Sequence, residues 1–144
     1  MPATHRLPVV LLLLRLSVFV VMLMWTLDKF VRPAHAATIY KTFYRLPLSA
    51  PSLFYLLGGL ELVLLVGFVV GVQKRLTYGV VTVLHGVSTV STFSQYLAPF
   101  QGTNLLFYAA WPMLAACVTL YALRDLDTLG VVEQWSRPRG DRVP

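Results

Sequence analysis

The sequence predicts an all-α membrane protein: an antiparallel four-helix transmembrane bundle with a short interfacial segment between its first and second helices. Three observations predict it. Of the 144 residues, 57% are hydrophobic and 12% charged, against about 45–50% and about 25% in a soluble domain. The apolar residues come in long runs parted by short polar breaks, as expected of segments that face lipid as well as protein. The Lys and Arg residues stand at the ends of those runs. There they act as topology signals and anionic-lipid contacts, and despite a net charge of +6 they form no basic face of the kind a nucleic acid needs.

Each span is read from a run of about 20 apolar residues, enough to cross roughly 30 Å of hydrocarbon at about 1.5 Å per residue. The first covers about 8–30, with Pro8 suited to a first helical turn and Pro33 just past the end. The second covers about 52–72, after Pro51. The third covers about 76–97, and the break Gln73-Lys74-Arg75 makes it an antiparallel neighbour of the second. The fourth covers about 105–123, after the turn-forming stretch from Ala98 to Asn104. Trp111-Pro112 predicts a kink within it, because proline removes a backbone donor.

Between the first two spans, Arg32 to Ser49 interleaves Tyr40, Phe43 and Tyr44 with Lys41 and Arg45, a composition suited to a short helix in the headgroup region. The tail 124–144 mixes acidic and basic residues and is expected to be exposed, fraying beyond Ser136. Ala34-His35-Ala36-Ala37 has the look of a signal-peptide cleavage site. The run before it is too long, however, and Arg15, Asp28 and Lys29 interrupt it, so a permanent span is the better reading.

Four spans put Arg6, Lys74, Arg75, Arg124, Arg137, Arg139 and Arg142 on one side, and Lys29, Arg32, Lys41 and Arg45 on the other. The more basic side is expected in the cytoplasm, which gives a bacterial inner-membrane protein with both termini inside.

Ionisable groups at membrane depth cost about 2.5–3.5 kcal/mol each on insertion scales. Arg15, Glu61 and His85 qualify, at predicted depths of roughly 10, 17 and 13 Å from the cytoplasmic boundary. They could meet as one buried cluster, serving either as glue between helices or as a site that exchanges protons with a carrier. The third span carries a polar stripe, Thr82, His85, Ser88, Thr89 and Thr92 among its members, that must face inward. Gly67 and Gly71 have the GxxxG spacing of a close-packing face. Trp25, Asp28, Lys29, Tyr40 and Tyr44 form either an interfacial girdle or the border of an entrance from the outer side.

The lone Cys117 allows no intramolecular disulfide and no CxxC pair. His5, His35 and His85 are isolated and fall at different predicted depths, so no metal site is predicted. Phosphate loops, nucleophile elbows and haem-attachment motifs are missing from the sequence. A self-sufficient enzyme is therefore not the expectation.

Arg15, the stretch Trp25-Thr26-Leu27-Asp28-Lys29-Phe30-Val31-Arg32-Pro33, Glu61 and His85-Gly86-Val87-Ser88-Thr89 resemble the DoxX-like group of small bacterial four-helix membrane proteins. The resemblance runs from about Arg15 to Leu123. It implies an accessory subunit of a quinone-linked redox or membrane-maintenance system, with another membrane or redox subunit as partner and quinone as the associated cofactor. Two alternatives stand beside it: a membrane enzyme or carrier acting on a quinone or small lipophilic substrate at the Arg15, Glu61, His85 cluster, and a structural assembly factor.

Overall fold

The computed structural model describes residues 3–132, and every regular element among them is helical. The first helix, α1 (Ala3–Val31), begins five residues earlier than Pro8 suggests and carries Pro8 inside it. So near a helix start, proline deletes a single backbone bond and the chain tolerates it. The helix stops where Pro33 disfavours the helical conformation for the residue before it, and Arg32 takes φ −135° and ψ 64°. The Arg32 amide still donates to the Asp28 carbonyl at 2.8 Å, and the Ala36 amide to that of Arg32 at 3.1 Å. Helix α2 (Pro33–Phe43) therefore follows α1 through a one-residue kink, occupying the segment expected to hold a short helix.

Helix α3 (Pro51–Val69) starts at its proline and ends three residues short of the expected limit. The chain then turns through Gly71 at φ 70° and Gln73 at φ 46°, so Lys74 and Arg75 belong to the next helix and not to the break. That helix, α4 (Lys74–Ser91), does not continue to residue 97. It breaks at Thr92, whose hydroxyl donates to the Thr89 carbonyl at 2.9 Å and competes with the helical ladder. A single turn, α5 (Phe93–Tyr96), follows. Residues Asn104–Ala109 form a 3-10 helix that runs into α6 (Ala110–Ala122). Pro112 thus sits in the first turn of α6 and marks the change from 3-10 to α geometry, where a kink in mid-span was expected. Its missing N–H removes the bond to the Tyr108 carbonyl that an α-helix would continue through.

The four long helices contact in a ring: α1 on α3, α3 on α4, α4 on α6, and α6 back on α1. Val18, Met22, Leu65, Phe68, Val81 and Leu120 fill the centre, while Leu13, Val20, Leu60, Val63, Val83 and Val90 point outward. Among the described residues, three segments are long and apolar enough to cross a membrane: Arg6–Val31, Pro51–Val69 and Asn104–Ala122. Helix α4 differs from them through its polar stripe, and the stripe is turned inward: Tyr78, Thr89 and Thr92 are buried, and Thr82 donates to the Cys117 carbonyl of α6 at 3.2 Å. Helix α2 crosses one end of the ring, contacting α1 and α3 and reaching the 3-10 helix through Phe43 and Phe107. This is called the outer end below, and the α3–α4 turn marks the inner end.

The inner end is closed by chain that was expected to be exposed. After α6, Asp127 and Val131 are buried, and the Val132 amide donates to the Val70 carbonyl at 3.0 Å. The tail's predicted fraying beyond Ser136 lies outside the described residues. Gly71 permits this closure, since a Cβ there would lie 2.5 Å from Val131 Cγ1 at a positive φ. Gly67, its partner in the GxxxG spacing, faces Thr77 of α4, whose Cγ2 would stand 3.2 Å from an added Cβ. Replacing Gly71 by Ala should lower stability by about 1–3 kcal/mol. Gly59→Ala in the middle of α3, where an added Cβ meets nothing within 4 Å, should leave stability unchanged or raise it by up to about 1 kcal/mol. Thermal unfolding of the two variants in the same detergent checks the contrast.

Candidate functional site

The buried charged side chains gather at two junctions. At the inner one, Arg15 has no exposed surface. Its Nη1 donates to Asp127 Oδ2 at 3.2 Å and to the Tyr78 hydroxyl at 3.1 Å, while Nη2 donates to the Leu129 carbonyl at 2.5 Å. Tyr78 in turn donates to Asp127 Oδ2 at 2.7 Å, and Lys74 Nζ donates to the Asp127 backbone carbonyl at 2.8 Å. Asp127 is also wholly buried. Arg15 Nε and Asp127 Oδ1 have no hydrogen-bond partner among the described residues, so this pair carries a desolvation cost that its own hydrogen bonds only partly offset.

The outer junction forms where α1, α2 and α3 meet. Lys29 Nζ donates to Glu61 Oε2 at 2.7 Å and to the Trp25 carbonyl at 3.3 Å. The adjacent residue, Asp28, accepts from Arg32 Nε at 2.7 Å and pairs with His35 Nδ1 at 2.6 Å. Arg32 and His35, four and seven residues on, lie on the same helical face as Asp28. Lys29 and Glu61 side chains are only 11% and 17% exposed, whereas Arg32 and His35 reach solvent at 65% and 40%. The junction therefore grades from a wet rim to a nearly dry ion pair. Phe30 packs so closely that a Cβ on Gly58 would lie 2.8 Å from its ring, which fixes α1 against α3 beside the pair.

Trp25, Asp28, Lys29 and Tyr40, foreseen as the border of an entrance, line one cavity together with Ala36 and Ile39. Tyr44 stands behind them with its ring centroid 5.1 Å from that of Tyr40. The cavity measures about 30 Å³, which suits a water molecule and not a quinone ring. Burial pushes the Tyr40 phenol up to about 12, with the Glu61 carboxylate and Tyr44 acting in the same direction.

Arg15, Glu61 and His85 do not converge. Arg15 pairs with Asp127, Glu61 with Lys29, and His85 Nε2 lies 3.0 Å from the Ala110 carbonyl of α6. The reason lies in how α1 is aligned against its neighbours. Arg15 stands level with the α3–α4 turn, 3.4 Å from the Cβ position of Gly71. Glu61 is eight residues before the end of α3, about 12 Å from that turn toward the outer end. Of the polar stripe, Thr82 and Thr89 cap backbone carbonyls within α4, Thr92 breaks the helix, and Ser88 is half-buried; their role is packing and helix termination.

Sequence reasoning missed Asp127, Arg32 and His35 as members of these junctions. For Asp127 a signal was present, because a buried Arg15 requires an acid and Asp127 stands four residues past the last span. For Arg32 and His35 the i, i+4 and i, i+7 spacings from Asp28 carried the signal, hidden by the assumption that Pro33 ends helical structure.

No protein family, curated protein or solved structure matches the chain, so the geometry carries the functional argument. The Tyr40 surroundings give a direct check. A phenol whose folded pKa exceeds its unfolded value of about 10 contributes stability that is complete below pH 10 and lost as pH rises toward about 12. Tyr40→Phe should remove that part of the alkaline decline between pH 10 and 12, read from unfolding midpoints of the two proteins across the range.

Proposed function

We propose that this protein is a four-span antiparallel membrane bundle of the bacterial inner membrane, with both termini in the cytoplasm. We propose further that it serves as an accessory subunit of a quinone-linked redox or membrane-maintenance system. One observation carries the membrane part: the distribution of polarity is inverted, with Arg15, Asp127, Lys29 and Glu61 paired inside and large aliphatic residues facing outward. Water would reverse that arrangement, and hydrocarbon requires it. Helix α4 completes the fourth span in this reading. Its 18 residues rise about 26 Å, and its polar side is covered by α6 and α3, leaving Leu76, Val83, Val87 and Val90 for lipid.

The redox association rests on the DoxX-like resemblance of Arg15, the Trp25 to Pro33 stretch, Glu61 and the His85 to Thr89 stretch. A subunit role is favoured over a self-sufficient enzyme by the outer junction, whose cavity of about 30 Å³ admits no quinone ring. The carrier reading required Arg15, Glu61 and His85 to share a site, and they have separate partners. A quinone would then meet this chain at a surface shared with a partner, where the wet rim of His35 and Arg32 leads to the Lys29–Glu61 pair.

Two experiments test the proposal. A membrane-impermeant thiol reagent applied to intact cells should label a cysteine introduced at Gln101 and spare one at Gln73; labelling at Gln73 would overturn the orientation. Gentle purification of the tagged chain from native membranes should bring down a quinone-reactive flavin or haem subunit. Glu61→Gln should lower that complex's quinone turnover by about tenfold or more, the scale of a lost proton-transfer or positioning group. A chain that purifies alone, with the Glu61→Gln strain unaltered in quinone reduction, would refute the accessory role.

A further inference from the structure

Along the outside of α4 runs a groove of about 320 Å³, lined by Arg75, Leu76, Gly79, Val80, Val83 and Leu84. These positions form one stripe of the helix, and from Arg75 to Leu84 it rises about 13 Å, close to the roughly 15 Å of one leaflet of hydrocarbon. The stripe is apolar except at its inner end. There Arg75 is exposed and makes no hydrogen bond or ion pair among the described residues.

A second cation stands at the same end. Gly79, in the floor of the groove, lies against α6, where Tyr121 Cε2 would be 3.2 Å from an added Cβ. The Arg124 guanidinium sits 4.9 Å above the centre of that ring and is held by a 2.7 Å bond from Nη1 to the Tyr121 carbonyl. One of its five N–H groups is used in that bond, and the remaining donors can serve an anion. The groove thus joins an apolar stripe about one leaflet long to Arg75 at its inner end, with the Arg124 guanidinium on the far side of the Tyr121 ring that Gly79 faces.

We infer that this α4–α6 face binds one anionic phospholipid, with its phosphate between Arg75 and Arg124 and an acyl chain along Gly79, Val80, Val83 and Leu84. The inference rests on the membrane-spanning reading above. A monoanionic headgroup matches the charge at the inner end, and an acyl chain matches the apolar length below it; a zwitterionic headgroup would bring a third cation to the two already there. A second copy of this chain would need to bring a carboxylate to the same mouth. Asp125, exposed beside Arg124, is the candidate for that, and dimerisation is therefore the competing outcome of the test.

The full chain reconstituted in equimolar phosphatidylglycerol and phosphatidylcholine, then released into native mass spectrometry, provides that test. The wild type should retain one phosphatidylglycerol in preference to phosphatidylcholine. Arg75→Gln and Arg124→Gln should each reduce retention about fivefold, and both together about thirtyfold, at about 1 kcal/mol per basic residue near an anionic surface. Val83→Trp, which fills the groove without altering charge, should reduce retention as well, while Lys41→Gln in α2 should leave it unchanged. Equal retention of the two lipids, undiminished binding by the double variant, or a dimer in place of the lipid adduct would overturn the inference. Extraction of the wild-type chain from membranes by alkaline carbonate would overturn the membrane reading itself, a failure distinguishable from loss of the lipid site.

Discussion

A guanidinium with no exposed surface must find its counter-charge and its hydrogen-bond acceptors inside the protein, and Arg15 finds both in residues 127–130. The consequence reaches through the inner end of the fold. The chain after α6 has to turn back beneath the helices, which needs the positive φ of Gly130 and the bare Cα of Gly71 where Val131 passes. Tyr78 is drawn into the core at the start of α4 to bridge the ion pair, and Lys74 holds the same loop from outside. One buried cation therefore ties α1, the α3–α4 turn, α4 and the chain after α6 into a single closure.

The outer junction follows the same rule at a different cost. Lys29 and Glu61 neutralise each other where α1 crosses α3, while Asp28, Arg32 and His35 form a second, wetter set on the kink between α1 and α2. Between the two junctions the core is largely apolar, with the hydroxyls of Thr26 and Thr89 bonded to backbone carbonyls, and large aliphatic residues such as Leu13, Leu60 and Val83 face outward. The buried ion pairs at the two ends fix the helices against one another without requiring a large cavity. Of the two junctions, the outer one has the more exposed rim, at Arg32 and His35.

Much of the fold was legible because hydrophobic runs of spanning length leave few alternatives in lipid. The three apolar spans, the short helix after Pro33 and the inward turn of the α4 stripe were all readable from run length and spacing. The site was legible only as a set of residue types. That Arg15 and Glu61 each need a partner follows from the cost of burying charge, but which partner depends on how the helices align, and the level of Arg15 with the α3–α4 turn is set by packing that run lengths do not encode. Asp127 was hidden for another reason. It lies in a stretch whose composition reads as solvated tail, and only the three-dimensional demand of Arg15 pulls that stretch inward. Thr92 and Pro112 moved element boundaries through local hydrogen-bond competition and a missing donor, effects that hydropathy does not register.

The Arg15–Asp127 pair holds the inner end closed, and a double-mutant cycle in detergent or nanodiscs tests this most directly. Arg15→Met and Asp127→Leu should each cost about 3–5 kcal/mol, because each strands a buried charge, and the double variant should cost well below the sum. Additive losses within about 0.5 kcal/mol would mean that the two groups do not depend on each other, and would contradict the closure on which the rest of the structure rests.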